Sequence, residues 1–299
     1  MAKAKPQTNK TLGQFWTPPA IAEFMLEIVK FDPLWKVIDP ACGEGIFLLK
    51  AAERGGSMLV GVDIDPEAIE RAKKLLQPYR ERVRLYCQDG LEEIADENPF
   101  WRGNFDLVIG NPPFAATGYR VRDPKVLARF ELAKVPVEEE TYEIEGQGRL
   151  FQLTVQRKRQ QPSQAIEVLF LERFIQLCKP GGRICIILPH GVFANSNLKH
   201  VRAWILANFT IRAIISLPRD TFKAVGTTAK TGILVLEKRK PKSRYFVYMA
   251  EIEQVQPDAP LDEKHNPQLV RLLKGSLSRM WEEDCWRHTA LCAEEVGER

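Results

Sequence analysis

Short runs rich in Val and Ile recur along this chain, and helical patterns separate them. "WKVIDP" runs to Asp39, "MLVGVDI" to Asp63, "VRLYCQD" to Asp89 and "FDLVIGN" to Asn111; "RICIILP", "IRAIISL" and "TGILVLEK" follow. These runs are apolar nearly throughout rather than alternating, so each strand is expected to be covered on both faces. Between Asp63 and the third run, Asp65 reads as a helix cap and Pro66 as the first helical residue, with Ile69, Ala72, Leu75 and Leu76 on one side. Residues 165–178 carry Ile166, Leu169, Phe170, Phe174, Ile175 and Cys178 at helical spacing, then stop at Pro180-Gly181-Gly182. Strand–helix alternation of this kind predicts an α/β fold with a parallel sheet between helical layers.

Size fits that fold. The 299 residues suffice for one large domain with an appendage or for two small domains, and 44% apolar with 27% charged residues is the balance of a globular chain. No apolar run approaches the ~18 residues of a membrane span. The basic start "MAKAKPQTNK" leads into no apolar segment, so no secretory signal is expected and the cytoplasm is the expected compartment, with no membrane partner. The six cysteines form no C-x-x-C pair, and the spacing of Cys285, His288 and Cys292 fits no common zinc pattern, so neither disulfides nor a metal is expected. A net charge of +4 permits nucleic-acid binding without requiring it. The basic clusters Arg157-Lys158-Arg159 and Lys238 to Lys242 read, taken alone, as solvated surface.

Two stretches break the alternation. Residues 115–164, with "VEEETYEIEGQGR" and "RKRQQP", are too long for an ordinary connection and read as a functional insertion or mobile lid. Residues 251–299 hold a loop with Pro257, Pro260 and Pro267, then helical patterns with Leu269, Leu272, Leu273, Leu277, Met280 and Trp281. The expected organisation is a catalytic domain over 1–250 and a helical extension over 251–299.

In an open parallel sheet, ligands bind beyond the carboxyl ends of the strands. Asp39, Asp63, Asp89 and Asn111 all end strands on that edge. After Asp39 comes "DPACGEGIF", a turn in which Gly43 and Gly45 allow close backbone approach. A phosphate cradle is disfavoured: no G-K-[ST] follows, and Asp39 and Glu44 would repel phosphate. Asp39 suits an ammonium, Asp63 a ribose diol and Asp89 an exocyclic adenine amine. An adenosine that carries an ammonium and no phosphate is S-adenosyl-L-methionine.

Six motifs in order resemble the N6-adenine DNA methyltransferases, most closely the modification subunits of type I restriction systems, over residues 13 to about 238. "GQFWTP" looks like the segment that closes over the cofactor, with Phe15 and Thr17 as contacts; Thr17 reads as the cap of the next helix, and Pro18 as its start, with Ile21, Phe24, Met25 and Ile28 facing inward. "DPACGEGIF" resembles the cofactor loop (Asp39, Pro40, Ala41, Gly43, Gly45), "GVDIDP" the ribose-binding strand end (Asp63, Ile64) and "QDGL" the adenine-binding turn (Asp89, Gly90). "GNPPF" resembles the catalytic motif (Asn111, Pro112, Pro113, Phe114), and "TFKAVGTTAKTG" the late hairpin, where Phe222 stands at the place of an aromatic that packs on the extruded base. The resemblance implies a Rossmann-like class I methyltransferase fold, a seven-stranded, mostly parallel sheet with an antiparallel last strand. Many relatives carry a long target-reading domain, and type I subunits a helical domain ahead of "GQF". Neither is evident here, so target recognition is expected from a specificity subunit, another protein or the 115–164 insertion.

"NPPF" can also be read as a rigid turn with an aromatic cap. Its chemistry as a catalytic motif is more specific. The adenine N6 lone pair is delocalised into the ring, so the amine is a poor nucleophile. Acceptors at the Asn111 side-chain oxygen and the Pro112 carbonyl would draw on its hydrogens, and the paired prolines would hold that carbonyl rigid. Phe114 would stack on the flipped base. DNA is the expected partner. Related enzymes that methylate protein glutamine or rRNA share the tetrapeptide, and a non-catalytic scaffold is the third alternative.

Overall fold

The computed structural model describes residues 16–92, 101–114, 119–146, 149–223, 229–243 and 245–282, with the side chains of 136–157 and of 276 outside that description. Phe15 and the Cys285/His288/Cys292 cluster therefore lie outside the described residues.

The chain opens with α1 (Pro19–Ile28), β1 (Lys36–Asp39), α2 (Ile46–Glu53), β2 (Met58–Asp63), α3 (Pro66–Leu75) and β3 (Val83–Cys87), then β4 (Phe105–Gly110). An excursion follows: β5 (Arg120–Val121), α4 (Pro124–Leu127), a long hairpin of β6 (Lys134–Gly146) and β7 (Arg149–Gln160), and β8 (Gln164–Ala165). The main fold resumes with α5 (Ile166–Leu177), β9 (Cys178–Pro189), α6 (His190–Ala194), α7 (Lys199–Asn208), β10 (Thr210–Ser216), β11 (Thr231–Glu237), β12 (Tyr248–Glu251) and α8 (Pro267–Lys274).

The central sheet has the order β12-β10-β11-β9-β4-β1-β2-β3. β11 runs antiparallel to both its neighbours, and the other pairings are parallel. The seven expected strands are all present, and β11 is the expected antiparallel one. The sheet has eight strands rather than seven, because β12 adds to the edge beside β10. Its residues alternate between half-buried and exposed, as suits an edge strand, and lack the apolar run that marks the other strands.

Helices cover both faces. One core cluster joins α1, α2 and α3 to Leu269, Leu277 and Met280 of the C-terminal segment; the other joins α5 and α7 to the opposite face of the sheet. The C-terminal segment is further tied to α1 by the Trp281 indole, which donates to the Ile28 carbonyl at 2.8 Å. Trp281 also packs on the Arg183 guanidinium, 3.8 Å from the ring centre.

The excursion has an anchored base. Val126, Leu127, Phe130, Leu132 and Ala133 are buried in the α5 cluster. The Glu172 carboxylate accepts from the backbone N–H groups of Glu131 and Leu132 at 2.8 and 2.7 Å. Among the described residues, no helix is long and apolar enough to cross a membrane.

Candidate active site

The strand order reverses between β1 and β4, and ligands of doubly wound sheets bind at that switch point. A cavity of about 330 Å³ lies there. Its walls hold Thr17, Asp39, Pro40, Ala41, Gly43, Asp63, Ile64, Asp89, Gly90, Asn111 and Pro113 of the predicted site. Gly45, Pro112, Phe114 and Phe222 are not among the lining residues.

The turn after β1 is built around its acids. The Asp39 carboxylate accepts from the Ala41 N–H at 3.0 Å. Asp63 at the end of β2 accepts from Gly43 N–H at 2.7 Å and from Asp65 N–H at 3.0 Å, so it ties two loops together. Gly43 and Gly45 have φ of 52° and 84°, in the left-handed region that favours glycine. Gly45 acts through that geometry, as the residue before α2, and not as a cavity wall. Asp65 caps α3 as expected, accepting from Glu67 N–H at 2.9 Å.

Close packing brings the strand ends together. A Cβ on Gly110, at the end of β4, would stand 2.5 Å from Asp39 Oδ1, so only glycine lets this strand pass the carboxylate. A Cβ on Gly90 would stand 1.9 Å from the Pro40 carbonyl oxygen. Asp89 accepts from Leu91 N–H at 2.9 Å, and the buried Arg173 of α5 donates to the carbonyls of Gly90, at 2.9 Å, and Glu92. Arg173 and Gly110 escaped the sequence reading. Their signals were an arginine amid the apolar residues of α5 and a glycine directly before "NPPF".

Thr17 is placed differently from expectation. The helix begins at Pro19, its N-cap is Pro18, and no side chain caps it. The Thr17 hydroxyl instead accepts a hydrogen bond from the Asn111 side-chain amide at 3.1 Å. Phe222 is 1% exposed, within the core cluster that includes residues of α1 and β10. Phe114 is 2% exposed. The excursion contributes walls that sequence motifs did not flag: Tyr119, Val121, Arg122, Asp123 and Val126.

The lining is acidic, with Asp39, Glu44, Asp63, Asp89, Glu92 and Asp123 against Arg71 and Arg122. Arg71 is engaged with Glu44 at 2.9 Å. Burial pushes the Asp39 carboxyl well above its usual range; the Ala41 N–H draws it back and the nearby Asp63 charge raises it further. Burial likewise raises Asp63, against the N–H groups of Asp65 and Gly43. Two buried carboxylates close enough for each charge to act on the other favour a ligand that brings positive charge or hydroxyl donors and disfavour phosphate.

Residues 1–282 match the family described as N-6 DNA Methylase. The chain is 28% identical over 185 residues to the Type II methyltransferase M.TthHB8I of Thermus thermophilus, which is 61% of this chain and 36% of that protein. It is 24% identical over 258 residues to the Type I restriction enzyme EcoEI methylase subunit of Escherichia coli, 81% of this chain and 46% of that subunit. It thus spans less than half the length of either relative. A solved structure described as a class I S-adenosylmethionine-dependent methyltransferase from Listeria monocytogenes superposes with a TM-score of 0.63 at 23% identity, over 90% of this chain and 73% of that one. The Type I restriction enzyme EcoKI M protein superposes with a TM-score of 0.57 at 18% identity, over 86% of this chain and 53% of that one. These likenesses show the class I methyltransferase fold, and with a family match that runs from residue 1 to residue 282 the chain belongs to the N-6 DNA methylase family.

Proposed function

We propose that this chain transfers a methyl group from S-adenosyl-L-methionine to the N6 amine of adenine in DNA, within a restriction-modification or similar defence system. The observation that carries this proposal is the convergence of Asp39, Asp63, Asp89 and Asn111 on one acidic cavity at the switch point of the sheet.

The residues fit the cofactor. The Asp39 carboxylate suits its ammonium. Asp63, held by the backbone N–H groups of Gly43 and Asp65 and lining the cavity, suits a ribose diol. Asp89 suits the adenine amine, and Ile64, 52% exposed at the cavity wall, offers an apolar face to the ring. When bound, this cofactor supplies an electrophilic methyl group on a sulfonium.

The protein's part in the chemistry is acceptance and alignment. The target adenine must leave the duplex to reach the cavity. The Asn111 side-chain oxygen and the Pro112 carbonyl would accept hydrogen bonds from the two N6–H groups, which keeps electron density on the nitrogen as the N–CH3 bond forms and the S–CH3 bond breaks; the sulfur leaves as a neutral thioether and one N6 proton departs to solvent. Both acceptors sit in a pre-set frame: Pro112 is buried, and Asn111 is held through its amide nitrogen. Stacking of the base on Phe114 would require that ring to leave its buried position. Target recognition is assigned to a specificity partner or to the 115–164 segment, whose base already walls the cavity.

The test is transfer of labelled methyl from S-adenosyl-L-methionine to duplex DNA, structured RNA and a glutamine-bearing protein, with and without co-expressed partner chains. Label in DNA, recovered as N6-methyladenine, is the expected result. Label in RNA or glutamine alone would move the assignment to those substrates, and cofactor binding with no transfer to any would leave a scaffold.

A further inference from the structure

We infer that Thr17 is a positioning residue for Asn111, fixing the plane of its amide for the methyl transfer proposed above, on which this inference rests. The two residues are 94 apart in sequence, yet the Asn111 amide nitrogen donates to the Thr17 hydroxyl at 3.1 Å, and both line the cavity. Three features make the threonine a firm reference point. It is 3% exposed. Its side chain makes no capping bond to α1, so the hydroxyl is not committed to the helix. It stands two residues before α1, whose Ala20, Ile21, Ala22, Phe24 and Met25 are fully buried, so its backbone is anchored by the core. A β-branched side chain also has few χ1 alternatives.

The terminal torsion of an asparagine is intrinsically broad, so a fixed hydrogen-bond partner narrows it. With its nitrogen edge on Thr17, the amide presents its oxygen edge in the opposite direction. A hydroxyl can also donate, so the bond sets the amide plane and its distance from the wall more than it selects the edge. That plane decides how well the oxygen meets a hydrogen on the incoming amine, and displacements of about 1 Å in such a frame can cost ~10²-fold in rate. A contact made only to hold the cofactor would act on affinity instead.

The experiment compares wild type, Thr17→Val and Thr17→Ser in single-turnover methyl transfer to DNA with cofactor and DNA saturating, beside cofactor titrations and thermal unfolding. Valine keeps the shape and removes the hydroxyl; serine keeps the hydroxyl; Thr17→Ala replaces valine if valine disturbs folding. Valine is expected to slow the transfer step at saturating cofactor by about 10- to 100-fold, whatever its effect on cofactor affinity, and serine to restore that rate to within ~3-fold. Equal rates for valine and wild type, equal losses for valine and serine, or a loss that is confined to cofactor affinity would each overturn the inference while leaving the function intact. A wild-type protein, with its partner chains present, that moves no methyl to DNA would overturn the functional proposal and this inference with it.

Discussion

Replacing Asp63 with alanine should separate cofactor binding from folding. The side chain is 5% exposed and does two jobs. It accepts from Gly43 N–H at 2.7 Å and from Asp65 N–H at 3.0 Å, and it lines the cavity. Loss of a charged acceptor for a ribose diol is worth about 1.5–3 kcal/mol, or roughly 10- to 150-fold in cofactor affinity. The effect on folding is a contest. Backbone N–H groups, those of Gly43 and Asp65 among them, lose their acceptor, which destabilises, while the cost of burying a carboxylate disappears, which stabilises. The net change should be within about 2 kcal/mol, a shift of several degrees in a chain of this size. Titration calorimetry with S-adenosyl-L-methionine and thermal unfolding of the apoprotein read the two effects separately. Affinity within twofold of wild type would remove Asp63 from the site. A Tm fall of more than ~10 °C would make its role chiefly structural.

Asp39→Asn should stabilise the apoprotein at pH 8 yet weaken cofactor binding. Because burial holds the Asp39 carboxyl above its ordinary value of 3.8, the folded chain binds the extra proton, and its stability falls as pH rises through that window and stays lower above it. Asparagine keeps an acceptor for Ala41 N–H without the charge, so its advantage should shrink as pH falls toward 4; a wild type more stable than the variant at pH 8 would refute the assignment. Arg173→Met should lower cofactor affinity about tenfold while leaving the transfer rate at saturating cofactor near wild type, because the 90–92 turn loses its anchor and Asn111 does not; a fall in that saturated rate would contradict it.

How much of this was legible depended on the range of the contacts. Asp39, Asp63 and Asn111 could be read directly, because an apolar run that stops at an acid or amide marks a buried strand and the end that meets the cavity in one string. The Asp65 cap was legible for the same reason: capping is local. Thr17 was not. Its sequence context, a threonine before two prolines, reads as a cap, and only the fold brings it to a residue 94 positions away. Arg173 meets Gly90 across 83 positions, and Gly110 matters because β1 lies beside β4. Phe222 was assigned by motif order, which carries no information on burial. β12 was missed because an edge strand needs only one covered side. The excursion read as polar and separate, yet Val126, Leu127, Phe130 and Leu132 pack its base onto α5, a long-range contact that its charged composition masked.

The central claim is that Asn111 takes part in the chemical step of adenine methylation. Single-turnover transfer of labelled methyl to DNA, with saturating S-adenosyl-L-methionine and any required partner chain present, compares wild type with Asn111→Ala most directly. One pre-organised acceptor is worth about 3–4 kcal/mol, so the variant should bind cofactor nearly as wild type and transfer methyl at least 10²-fold more slowly. A variant that forms N6-methyladenine at close to the wild-type rate would contradict the account.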